Sequence, residues 1–157
     1  MKYITHSLEE MQKLATSFAG DLSPKNNRAV VVGLYGELGA GKTSFVQGLV
    51  SALGVEGNIV SPTFVIMKSY PLPHNSHFKH IIHIDAYRLE KSEELLSLGW
   101  DKIVSDPTNL VVIEWPERVA DIMPEHIRIN FTLPALTIVR GQAGHISENE
   151  REVEMVI

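Results

Sequence analysis

The chain has 157 residues, 44% hydrophobic and 21% charged, with 19 acidic against 14 basic side chains and a formal net charge of −5. This length and composition predict one core in a single domain spanning residues 1–157, and they exclude a disordered chain. The absence of cysteine excludes a disulfide framework and fits a reducing cytoplasm, while no apolar run reaches the ~20 residues of a membrane span.

In chain order, Lys2 to Thr5 is expected to form a short strand, and MKYITHSLEE carries no apolar signal core. Ser7 opens SLEE, a capping box with Glu10. Leu8, Met11, Leu14, Ala15 and Phe18 then recur at helical spacing to about Ala19. DLSPKNN reads as a loop. Ala29 to Tyr35 is apolar on both faces, as in a buried parallel strand, and a helix is expected from about Lys42 to Leu53. Thr63 to Tyr70 alternates like a strand after the boundary set by Pro62, and HIIHIDAY is a second strand that suggests a hairpin with it. Ser92 is expected to cap SEELLSL, with Gly99 as its stop. LVVIEW, Leu110 to Trp115, is another buried strand, and Pro116 begins a short helix. The tail changes character: HIRINFTLP alternates apolar and polar residues, and LTIVR and EVEMVI resemble strands. The fold class expected is α/β, P-loop NTPase-like, with a mostly parallel central sheet flanked by helices and an antiparallel C-terminal strand extension.

Between the first buried strand and its helix lies GELGAGKT, which fits G-x-x-x-x-G-K-[ST] at Gly36, Gly41, Lys42 and Thr43. Glu37, Leu38, Gly39 and Ala40 fill the loop, and Ser44 follows it. The glycines let successive main-chain N–H groups point at phosphate oxygens, and the helix turns its positive end to the same anion. Lys42 is placed to face the β- and γ-phosphates, and the Thr43 hydroxyl to bind Mg²⁺.

Such a site needs an acid at the end of a neighbouring buried strand. IIHID ends at Asp85 and LVVIE ends at Glu114. The more uniformly apolar run favours Glu114 beside the metal and Asp85 for orienting the attacking water, with the exchanged roles as the alternative. No [NT]-K-x-D motif is present and no D-x-x-G follows the loop, which argues for ATP over GTP. The start of the first helix and the C-terminal strands are both candidate walls for the base. Arg88 and Arg118 are candidates for stabilising charge across the phosphates, as an arginine finger does, against the commoner surface role. His74, His77, His80 and His83 recur every third residue. A spacing of three on a strand sends side chains to opposite faces, which speaks against a zinc cluster.

Taken together, GELGAGKTSF, SPTF (Ser61 to Phe64), HIDAYR (His83 to Arg88), EELLSLGW and VIEWPER (Val112 to Arg118) resemble the TsaE family, also called YjeE. The resemblance covers about Tyr3 to Arg118. It implies an ATPase that slowly turns over Mg²⁺-bound ATP to ADP and assists the partner proteins TsaB and TsaD in forming threonylcarbamoyladenosine in tRNA, by resetting their complex between turnovers. It places the phosphate loop on Gly36 to Thr43 and the magnesium ligands on Thr43 and Glu114. A switch-like segment falls on Ser61, Pro62 and Thr63, the hydrolysis-linked acid on Asp85, and Trp115 stands beside the metal acid. The basic residues are scattered, so contact with tRNA is expected to run through a partner. A small-molecule kinase and a nucleotide-dependent module without turnover are the rival readings; the six arginines are spread along the chain and form no compact kinase lid.

Overall fold

The computed structural model describes residues 1–57, 59, 62, 64–134, 138–139, 142–143 and 150–156. Its first half comprises β1 (Lys2–Thr5), α1 (Leu8–Asp21), β2 (Val30–Tyr35), α2 (Lys42–Ala52), β3 (Met67–Pro71) and β4 (His80–Asp85). The second half comprises α3 (Ser92–Leu96), α4 (Trp100–Ser105), β5 (Asn109–Glu114), a 3₁₀ helix (Pro116–Ile122), β6 (Ile127–Thr132), β7 (Ile138–Val139), β8 (Gln142–Ala143) and β9 (Arg151–Val156). Seven strands form one sheet in the order β1-β9-β6-β2-β5-β4-β3, and β7 pairs with β8 apart from it.

The uniformly apolar runs take the middle of the sheet. β2 lies between β6 and β5, parallel to both, and β4 runs parallel to β5 on its far side. Alternate residues of β2 enter two cores. Val30, Val32 and Leu34 pack with Phe18 of α1 and Phe45 and Leu49 of α2. Val31 packs on the opposite face with Leu95, Trp100 and Val119. Gly48 permits the close approach of the two helices on the first face, since a Cβ there would lie 3.0 Å from the Ala15 methyl. The outer strands are antiparallel: β3 to β4, β6 to β9, and β9 to β1.

Several expectations are corrected in detail. The antiparallel C-terminal extension is present in β9, which pairs antiparallel with β6 and β1, but β6, grouped with that extension by its alternating pattern, itself runs parallel to β2. The chain reaches it from β5 through the 3₁₀ helix, a crossover that restores strand direction. The strand expected from Thr63 starts at Met67, because Val65 and Ile66 both donate their N–H to the Pro62 carbonyl and close a turn. Ser92 is the first residue of α3 rather than its cap. The Glu94 carboxylate accepts from the Glu90 and Lys91 N–H groups, and the Ser92 hydroxyl donates to Asp121. Gly99, expected only as a stop, is left-handed and leads directly into α4, whose Trp100 is buried.

Candidate functional site

The loop between β2 and α2 is held by main chain packing that only glycine allows. Gly36 has φ 141°, and a Cβ there would overlap the Phe131 carbonyl oxygen of β6. Two recesses open on this loop. A cavity of about 270 Å³ is bounded by Leu38, Lys42, Thr43 and Ser44 on one side and by Asp85, Tyr87, Arg88, Glu114 and Trp115 on the other. A smaller one of about 140 Å³ shares Gly39, Gly41 and Ser44 with it, and is walled by Thr5, Ser7, Leu8, Met11 and Arg151. The start of α1 and the last strand are thus the walls of the second recess, and Arg151 Nε donates to the Gly39 carbonyl at 3.2 Å. Among the other hollows are an apolar one of about 230 Å³ among Leu14, Phe18 and Met155, and one of about 560 Å³ beside His74, His77 and His80. Neither contains a residue of the glycine loop.

Lys42 is buried, with Nζ donating to the Gly36 and Glu37 carbonyls at 2.5 and 2.9 Å and lying 4.0 Å from the centre of the Trp115 ring. Burial pushes its pKa below the usual lysine value, opposed by the carboxylates of Glu114, Glu117 and Asp85. Ala40 packs into the core beneath the loop, donating its N–H to the Glu37 carbonyl.

The two strand-end acids are register partners, Asp85 on β4 opposite Glu114 on β5. Both are buried, and Asp85 Oδ1 accepts the Tyr87 N–H at 3.0 Å. Thr43 Oγ1 donates to Glu114 at 3.1 Å from Oε2 and 3.4 Å from Oε1. A hydroxyl and a carboxylate side by side form an all-oxygen set. That suits a hard cation such as Mg²⁺, which keeps several waters and takes its remaining ligands from phosphate. Among the described residues no group of three or more His, Cys, Asp and Glu could hold a metal ion, so the histidine series forms no such cluster.

Trp115 follows Glu114 in the left-handed region, φ 59°, a strained backbone for a large residue. Its N–H reaches the Leu34 carbonyl at 3.2 Å, and its ring packs on Tyr87 with centroids 5.0 Å apart. The Arg118 guanidinium lies over the Tyr87 ring, 5.6 Å from its centre, and Arg88 lies 4.7 Å from the exposed Phe64 ring. Of the switch-like segment, Pro62 is buried, and Ser61 and Thr63 lie outside the described residues.

Sequence reasoning took His83 only as a member of the histidine series and of HIDAYR, and missed its contact with Glu114. Its Nε2 lies 2.7 Å from Glu114 Oε1, with both side chains buried. The available signal was the period of two: His83 precedes Asp85 by two residues on one strand and shares its face.

A family model described as threonylcarbamoyl adenosine biosynthesis protein TsaE matches residues 5–139. The chain belongs to the TsaE family. It is 37% identical over 132 residues to the tRNA threonylcarbamoyladenosine biosynthesis protein TsaE of Rickettsia bellii, covering 83% of this chain and 85% of that one. The TsaE of Treponema pallidum is 42% identical over 97 residues, covering 61% of this chain and 67% of that protein. The crystal structure of Bacillus subtilis YdiB superposes with a TM-score of 0.68 at 28% identity, covering 98% of this chain and 82% of that one. The TsaE family model takes in β2, α2, β4 and β5, the elements that assemble the glycine loop and the two acids. Membership ties the chain to the making of threonylcarbamoyladenosine in tRNA. No helix among the described residues of this TsaE-family chain is long and apolar enough to cross a membrane.

Proposed function

We propose that this chain binds ATP with Mg²⁺, hydrolyses it slowly to ADP, and through that cycle resets a complex of TsaB and TsaD between rounds of threonylcarbamoyladenosine formation. The observation that carries the reading is the Thr43–Glu114 contact, 3.1 Å long, at the mouth of a glycine loop whose lysine is buried. The loop amides and Lys42 hold the phosphates, and the smaller recess between α1 and β9 takes the base and ribose. Thr43 and Glu114 hold Mg²⁺ directly or through its waters. When bound, the ion offsets charge on the β- and γ-phosphate oxygens. Asp85 orients the water that attacks the γ-phosphorus as the bond to the bridging oxygen breaks, and accepts a hydrogen bond from it. The Ser61–Thr63 segment is the part that responds to the γ-phosphate. With a net charge of −5, the chain meets tRNA through its partners.

The test has two arms. ATP turnover is measured with and without Mg²⁺ for the native chain and for Asp85→Asn, which should keep nucleotide affinity and lose hydrolysis. Co-elution with TsaB and TsaD is then compared in ATP and in ADP. Wild-type turnover in Asp85→Asn removes that acid from the mechanism. Turnover that requires a small-molecule acceptor makes the chain a kinase, and co-elution under no nucleotide condition ends the partner reading.

A further inference from the structure

We infer that His83 is a positioning residue that sets the plane of the Glu114 carboxylate. The inference rests on Glu114 being the magnesium-side acid. Glu114 is held from two directions, with His83 Nε2 2.7 Å from Oε1 and Thr43 Oγ1 3.1 Å from Oε2. A carboxylate accepts and does not donate, so Nε2 is the protonated nitrogen and Thr43 supplies the other hydrogen. The terminal torsion of glutamate is broad, and without the imidazole the Oε1 edge would keep only the long 3.4 Å contact from the Thr43 hydroxyl among the described residues. The register explains how the ring arrives. His83 pairs with Val112 while Asp85 pairs with Glu114, so His83 lies one diagonal step from Glu114 on the same sheet face.

Packing alone does not account for the residue. His83 is 1% exposed, and its Nδ1 is buried with no hydrogen-bond partner among the described residues. An apolar side chain would fill the same space with no bare nitrogen, so the imidazole carries a stability cost that its single bond to Glu114 explains. Orientation of a metal-side carboxylate by an outer hydrogen bond is worth about 10- to 100-fold in metal affinity where it has been removed.

The test is calorimetry of ADP binding to the full chain, with and without Mg²⁺, in variants at His83 and Glu114. His83→Leu and His83→Asn should lose about tenfold or more of the Mg²⁺-dependent gain in ADP affinity and keep the metal-free affinity. The asparagine amide ends short of the Nε2 position. His83→Gln, whose amide reaches it, should stay within about threefold of the native gain. This order of Gln above Asn also covers the case in which His83→Leu fails to fold. A native gain in His83→Asn, or Gln and Asn behaving alike, overturns the inference. Glu114→Gln separates the two layers: if it loses the gain while His83→Asn keeps it, only the role of His83 fails. If Glu114→Gln keeps the gain, the reading of Glu114 fails and the inference falls with it.

Discussion

Thr43 and Glu114 are 71 residues apart in the chain, and their side-chain oxygens lie 3.1 Å apart. Neighbouring parallel strands bring this about. Glu114 ends β5 opposite Leu34 of β2, and the loop after β2 turns back so that α2 begins at Lys42, over the same strand end. The pair exists because two uniformly apolar runs were both driven to the centre of one sheet.

Replacement of Thr43 by valine keeps the side-chain volume and removes the hydroxyl. The affinity for ADP in Mg²⁺ is expected to fall about tenfold, ~1.4 kcal/mol, with metal-free affinity unchanged. Calorimetry under both conditions checks it. An equal loss with and without Mg²⁺ would mean that Thr43 serves the phosphate rather than the cation.

Gly36 is set by the backbone of β6. Any Cβ meets the Phe131 carbonyl, and φ 141° disfavours a side chain whatever the space. Gly36→Ala should therefore destabilise by more than ~2 kcal/mol and open the contact between the glycine loop and β6. Gly20, in α1, has nothing within 4 Å of its Cβ position. Gly20→Ala should stabilise by about 0.5–1 kcal/mol through helix propensity. Urea denaturation of the two variants gives opposite signs if the local geometry is right.

The elements carrying strong periodicity were legible in the sequence. β2 and β5 show uniform apolarity and are fully central, and the Ser7 hydroxyl does accept the Glu10 N–H at the start of α1. The same kind of run marked Asp85 and Glu114 as strand-end acids, and their pairing across β4 and β5 came from the structure. The antiparallel character of the tail was legible and holds for β9, but the direction of β6 against β2 was not. The alternation in β6 reports which face is buried, and that is the same for a parallel and an antiparallel strand. His83 escaped for a related reason. Its importance lies in the diagonal relation to Glu114, which needs the β4–β5 register, and a pattern along one chain does not contain that register. The left-handed Trp115 was equally hidden, since nothing in IEWPER announces a positive φ at a tryptophan.

Arg151 belongs to the last strand yet donates to the Gly39 carbonyl and walls the smaller recess. Its removal should therefore act on the base and ribose side of the proposed site. Arg151→Ala is expected to weaken ADP binding several-fold, by about 1 kcal/mol, to the same extent with and without Mg²⁺. That pattern is the reverse of Thr43→Val, and one set of calorimetric titrations distinguishes them. An Arg151→Ala chain with native affinity would place the base outside the α1–β9 recess.

Lys42 links the site to pH. Burial depresses its pKa below 10.5, so between the folded value and 10.5 the unfolded chain binds a proton that the folded chain has released. The contribution of Lys42 to stability therefore rises with pH through that window, and below it the full cost of holding the charged ammonium in the fold is present. Lys42→Met removes both states. The stability of the native chain relative to this variant should climb as pH is raised from 7 towards 10.5, as measured by urea denaturation without nucleotide. A difference that is flat across this range would show that the carbonyls of Gly36 and Glu37, with the Trp115 ring, fully offset the burial. Binding runs the other way. The charge needed for the β- and γ-phosphates is present at neutral pH and is drained in the same alkaline window. ATP affinity of the native chain should fall with rising pH there, while that of Lys42→Met, already weaker by about 100-fold or ~2.7 kcal/mol, should stay flat.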